Sequence, residues 1–238
     1  MVRAGRPPQD PARHRERAHR ILDAVGELVL RWGYDKTTID DVAKRAGVAK
    51  GTIYLHWRTR DDIFAALLRR ERLLMLAEVR EKAPATLGEL FGEFARALLR
   101  RPLLQAVLSG DSEVLGKLTR RKWRGGLPLG GAFAAYLAEL VEHGAVREDP
   151  GDHVVVVTSI VHGFLFLPDG MPEEARPSGD RLAELVADTI ERALTTGRPL
   201  SRDARDAVAR ATLGFLDAME ETAHDKLAAS LGAKEAVR

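Results

Sequence analysis

Lys50, Thr52, Tyr54 and His56 set an ammonium, two hydroxyls and an imidazole at alternate positions, with no acid among them. Such groups suit the phosphate oxygens and base edges of a nucleic acid, since lysine neutralises phosphate and hydroxyls donate or accept at either target. No competing chemistry assembles elsewhere in the 238 residues. There is no cysteine, which excludes disulfides, thiolate nucleophiles and cysteine-based zinc sites and fits a reducing cytoplasm. His153 and His162 are separated by about 2.5 helical turns and fall on opposite faces. Glu142-His143 and His224-Asp225 are adjacent pairs, which do not face one another on a helix. Ser109, Ser112 and Ser159 lack the glycines of a nucleophile elbow. The glycine-rich residues 125–131 lack the Gly-Lys-Ser/Thr ending of a phosphate loop. The sequence therefore predicts no catalytic residue, no metal site and no cofactor.

The elements that hold the first group are legible. Ile39, Val42 and Ala43 form one apolar face of a short helix, which Thr37 can cap with Asp40 three residues on. Gly47 stands where the chain must reverse. Val48 and Ile53 then pack a second short helix back on the first. A helix, a turn with glycine and a basic second helix read as a helix-turn-helix. An ordinary core hairpin fits this stretch equally well, and the flanks decide. Upstream, Ile21, Val25, Leu28 and Trp32 form the stripe of an amphipathic helix over residues 17–32, with Gly33 at its C-terminal end. Downstream, Thr59-Arg60-Asp61-Asp62 starts a long helix carrying Ile63, Leu67, Leu74 and Val79.

Over residues 17–75 the chain resembles the TetR family of one-component bacterial transcriptional regulators. The blocks that carry the resemblance are Ile21-Leu22-Asp23-Ala24, Trp32-Gly33-Tyr34 with Thr37-Thr38, and Val42-Ala43 with Ala46-Gly47-Val48. They continue with Lys50-Gly51-Thr52-Ile53-Tyr54, Trp57 and Arg60. The resemblance implies that Thr38, Lys50, Gly51, Thr52, Tyr54, His56 and Arg60 belong to the DNA-facing set. Ala49 stands where the family usually has serine, so the second helix lacks a side-chain cap. Trp57 stands where it usually has phenylalanine, which keeps the aromatic packing.

Composition agrees with a DNA-binding head on a separate body. Residues 1–82 hold 18 Lys/Arg against 12 Asp/Glu, and the remainder 19 against 23, so a charge of +6 faces one of −4. Arg3, Arg6, Arg13, Arg15, Arg17 and Arg20 cluster beside Pro7, Pro8 and Pro11. Residues 1–14 thus read as a flexible basic arm, either reaching the minor groove or simply solvated. The first residues lack the apolar run of a secretory signal. The most apolar stretch, residues 154–167, is interrupted by Thr158, Ser159, His162 and Gly163, so no membrane span is expected.

The body reads as helical throughout. Leu87, Leu90, Phe91, Phe94 and Leu98 share one face, and a break follows at Arg101-Pro102. A further helical region covers residues 103–118, with an interruption at Gly110, and residues 125–131 form a turn. Phe133, Tyr136, Leu137, Leu140 and Val141 begin the next helix. Residues 154–167 suit a strand by propensity and a buried helix by length; helix is preferred. A loop follows at 168–179. Leu182, Leu185, Val186, Thr189 and Ile190 form a clean amphipathic stripe. Val208, Phe215 and Met219 mark a last helix, and the tail frays from about Leu231.

The sequence thus predicts an all-α chain. It comprises a basic arm (1–14), a helix-turn-helix domain (15–60), a connecting helix (61–82) and an effector-binding and dimerisation body (83–238). The expected protein is a cytoplasmic homodimeric regulator, a repressor released from a pseudo-palindromic double-stranded operator by a small apolar ligand. Phe91, Phe94, Tyr136, His162 and Phe166 are the expected ligand residues, with plain core packing as the alternative for such aromatics. Leu182, Leu185, Val186 and Ile190 are the expected dimer contacts. An effector-independent architectural DNA-binding protein is the alternative function.

Overall fold

The computed structural model describes residues 11–120, 131–149 and 152–231. These residues are helical almost throughout. The helices are α1 (Pro11–Trp32), α2 (Ile39–Ala46), α3 (Lys50–His56), α4 (Arg60–Glu81), α5 (Leu87–Leu99), α6 (Pro102–Ser109), α7 (Ser112–Leu115), α8 (Gly131–Glu142), α9 (His153–Phe166), α10 (Gly179–Leu194) and α11 (Arg202–Leu231). Among the described residues β pairing is confined to one antiparallel bridge, Val146 to Thr195. No helix among them is long and apolar enough to cross a membrane, and no group of three or more histidines and acids could hold a metal. Residues 154–167 take the helical option as α9.

Local chemistry sets the boundaries. Thr38, not Thr37, caps α2, and it exchanges hydrogen bonds with Asp41, not Asp40. The expected box is displaced by one residue because the Thr37 side chain turns inward. Its hydroxyl donates to the Gly33 carbonyl, 2.9 Å away, and the residue is buried. Thr59 and Asp62 form the same reciprocal cap on α4. Pro102 opens α6, where a missing N–H costs nothing. Gly110 interrupts the helical region after it at φ 71°. α1 begins at Pro11, so residues 11–14, expected in the arm, are helical. Residues 1–10, the expected turn at 125–130 and the tail 232–238 lie outside the described residues.

Two apolar cores result. One joins α1, α2, α3 and the first half of α4, and also takes in Leu103, Ala106, Leu115 and Leu118 from α6 and the segment after it. The other joins the second half of α4 with α5, α8, α9, α10 and α11. α5 and α10 pack most intimately. A Cβ at Gly92 would lie 2.9 Å from Ala187 Cβ, and one at Gly88 would lie 2.9 Å from the Ala187 carbonyl. α11 runs back along α4: Asp217 pairs with Arg80 at 2.5 Å, Ser230 accepts from Arg69, and Leu231 packs against the head core.

Candidate nucleic-acid interface

α2 buries Val42 and Ala43, and α3 buries Ile53, so the two short helices share an apolar seam. Gly47, at φ 66° and ψ 38°, closes α2 in the left-handed region that glycine enters without a Cβ penalty. Its neighbour Val48 donates its N–H to the Ala43 carbonyl at 3.0 Å, turning the chain into α3. Ala49 precedes α3 with no side-chain cap, as the sequence implies.

This seam fixes which side of α3 looks outward. Lys50, Gly51, Tyr54 and Leu55 are exposed and Thr52 is half-buried. Lys50 Nζ lies 2.8 Å from Asp40 Oδ2, and that hydrogen bond holds its ammonium above the ordinary lysine pKa. An incoming phosphate must therefore take the ammonium from Asp40. Exposed Lys44, Arg45 and Arg58 flank α3. Arg45 is paired with Glu27 of α1. The adjacent bases just before Gly47 were the sequence signal for the first two.

Three residues of the expected DNA-facing set sit differently. His56 is only 1% exposed; its ring lies 4.0 Å from that of His14 and 5.2 Å from that of Trp57. The helical period explains it, since His56 follows inward-facing Ile53 by three residues. Its imidazole is part of the packing of α3 on α1, not of the outward surface. Thr38 is exposed, but its hydroxyl is engaged in capping α2. Arg60 is turned onto the α1–α2 loop: it donates to the Thr37 carbonyl at 2.9 Å, and its guanidinium lies 4.0 Å from the Tyr34 ring centre. The Tyr34 hydroxyl in turn donates to Asp61. Arg60, Tyr34 and Asp61 thus form a bracket that shapes the loop before α2. Sequence reasoning missed the bracket because its members are 27 residues apart.

The sequence profile described as "Bacterial regulatory proteins, tetR family" matches residues 21–67, which span α2, α3, the second half of α1 and the first turns of α4. Over these residues the chain is similar to the tetR family of bacterial regulatory proteins. A fatty acid metabolism regulator protein of Bacillus subtilis is 38% identical over 71 residues, covering 27% of this chain and 36% of the relative. The transcriptional repressor KstR of Mycobacterium tuberculosis is 33% identical over 101 residues, covering 40% and 46%. The matches thus span less than half the length of these two relatives. The SmeT–triclosan complex, SmeT being a repressor from Stenotrophomonas maltophilia, shares the fold with a TM-score of 0.56 at 20% identity, over 79% of this chain and 100% of that one. The similarity thus covers the helix-turn-helix region of bacterial transcriptional regulators.

Phe91, Phe94 and Tyr136 pack with Phe133 and Phe215 in a continuous aromatic core. Phe91 meets Phe133 edge-on at 5.7 Å, and Tyr136 stacks on Phe215 at 4.9 Å. The Tyr136 hydroxyl is satisfied by Thr212 at 2.9 Å, and burial pushes the phenol well above its ordinary pKa. His162 instead is exposed and touches Phe166, which is half-buried. The five expected ligand residues therefore fall in two places. Of the expected dimer stripe, Leu182, Val186 and Ile190 are buried within the chain, where α10 packs on α5, and Leu185 is half-buried. The stripe is covered within the chain because Gly88 and Gly92 let α5 come close to it.

Proposed function

We propose that the chain is a homodimeric repressor that reads a pseudo-palindromic operator through α3 and leaves it when a small molecule binds the body. The observation that carries this reading is the outward set Lys50, Gly51, Thr52 and Tyr54, presented by a helix whose opposite side is locked in the head core. Rigid presentation of donors is what base readout requires. One α3 offers few contacts, and two related by symmetry would address successive major grooves ~34 Å apart. Support for a dimer surface shifts from α10 to α9 and the turn after it. Val155 is 62% exposed and Leu167 71%, with Val154 and Met171 also exposed. Release would be a population shift toward a spacing of the two heads that no longer fits the operator.

Selection of bound sequences from a random duplex pool tests the reading. Recovery of a two-fold sequence bound at least ~1,000 times more tightly than random duplex supports it. Uniform affinity across the pool would instead favour the architectural alternative.

A further inference from the structure

Aromatic rings of α5, α8 and α11 pack against one another, and a cleft of about 320 Å³ opens at the end of the body remote from the head. That size is at the small end of the roughly 300–1,000 Å³ of ligand pockets. It lies where the start of α5, the end of α8 and the α10–α11 connection converge. Leu87, Leu140, Val146, Leu200 and Val208 give it apolar walls. The Val146–Thr195 bridge ties two of its margins together, with Arg147 donating to the Leu194 carbonyl at 2.9 Å and Thr196 to that of Ala145 at 3.1 Å.

One carboxylate sets the polarity of this cleft. Glu191 lines it and accepts the backbone N–H of Gly88. Desolvation pushes its carboxyl above the ordinary range, and the nearby charge of Glu89 adds to the shift. The Thr195 hydroxyl donates to the Glu191 carbonyl and that of Thr196 to the Gly144 carbonyl, so both are already engaged. Arg198 stands on the exposed rim. Glu191 is nonetheless exposed to solvent, and a cation in the cleft would offset the repulsion from Glu89.

We propose that this distal cleft is the effector site and that it takes a compact apolar molecule bearing a protonated amine. The proposal rests on the reading of the chain as an effector-released regulator. Its route to DNA is α11. Leu200 and Val208, at the start of that helix, form part of the cleft wall. The helix then runs 30 residues, about 45 Å at 1.5 Å per residue, to the head. There Ser230 holds Arg69 and Leu231 packs against the head core. A ligand that displaces the α10–α11 connection moves one end of a continuous rod whose other end touches the head.

Calorimetric titration of the full chain with hexylamine, hexanol and hexanoate tests the chemistry. Hexylamine should bind saturably and at least several-fold more tightly than hexanol, and hexanoate most weakly. Glu191→Gln keeps an acceptor for Gly88 N–H, so it should weaken hexylamine about tenfold while leaving hexanol within about twofold. Ala145→Phe, verified as folded by circular dichroism, should abolish both. Hexanoate binding as tightly as hexylamine, no saturable amine binding, or an amine preference unchanged in Glu191→Gln would each overturn the site. These titrations need no DNA, so they stand apart from the operator selection. Amine binding by a chain with no operator preference would sink the regulator reading and leave a ligand site. Amine binding that leaves the affinity for a selected operator unchanged would overturn the effector role.

Discussion

At the scale of single residues, Thr52 and Lys50 would divide the work of recognition in the proposed function. Thr52→Ala is expected to cost ~1–3 kcal/mol at a selected operator and less on random duplex. Lys50→Ala should also lower the slope of log affinity against log salt by roughly one unit. Equal losses on both duplexes for Thr52→Ala would remove it from base readout. Thr38 acts differently, because its hydroxyl and amide hold Asp41 below the ordinary carboxylate pKa. A lowered pKa means stability that is present at neutral pH and lost as pH falls through the folded value. The drop in urea midpoint caused by Thr38→Ala should therefore be larger at about pH 7 than at about pH 2; a drop independent of pH would dismiss the Asp41 contribution. The outward donors of α3 were readable from sequence, and so was the inward place of His56. Ile53 at the seam already puts the residue three positions later on the buried side, although its polar type and the family resemblance both pointed the other way.

At the scale of helices, the amphipathic stripes were legible and their partners were not. Leu182, Val186 and Ile190 recur at i, i+4, i+8, which fixes a buried face without saying whether the cover comes from the same chain or a second copy. The deciding residues are small ones: Gly88 and Gly92 on α5 against Ala183 and Ala187 on α10, each pair spaced by four. The same holds for the aromatics, whose helical spacing suits a pocket wall as well as a core. Tyr136 settles into the core because Thr212 supplies the hydroxyl's partner. Two charge substitutions separate fold from assembly. Ile190→Asp places a carboxylate in a site with 0% exposure and should unfold the chain or lower its stability by several kcal/mol. Val155→Asp, on the outward face of α9, should leave helicity intact and convert dimer to monomer in sedimentation. A folded Ile190→Asp dimer, or a dimer unaffected by Val155→Asp, would contradict this division.

At the scale of the whole molecule, body and head are joined by contacts that no local pattern announces. The segment that follows α6 reaches the loop between α1 and α2. Tyr34 donates its N–H to the Val114 carbonyl at 2.8 Å, and the Lys117 N–H donates to Asp35 Oδ2 at 3.1 Å. Gly116, at φ 51°, leaves no room for a Cβ, because its place is taken by the Asp35 carboxylate. The joint then passes to the recognition region through Arg60, which holds the Asp35 and Thr37 carbonyls just ahead of the cap of α2. Separations of 80 residues or more put this joint beyond periodicity and capping rules, although the glycine and the aspartate are each visible in the sequence. Gly116→Ala should break it, since alanine meets both an unfavourable backbone region and a carboxylate in contact. The expected cost is about 1–3 kcal/mol in global stability. The more specific expectation is regional. Amide hydrogen exchange should quicken across residues 33–60 while α5 and α10, which share the other core, keep their protection. Uniformly faster exchange would mean that Gly116 stabilises the chain as a whole. Unchanged exchange in α2 and α3 would show that the body does not hold the head through Asp35, and the coupling would then have to run through α4 and α11 alone.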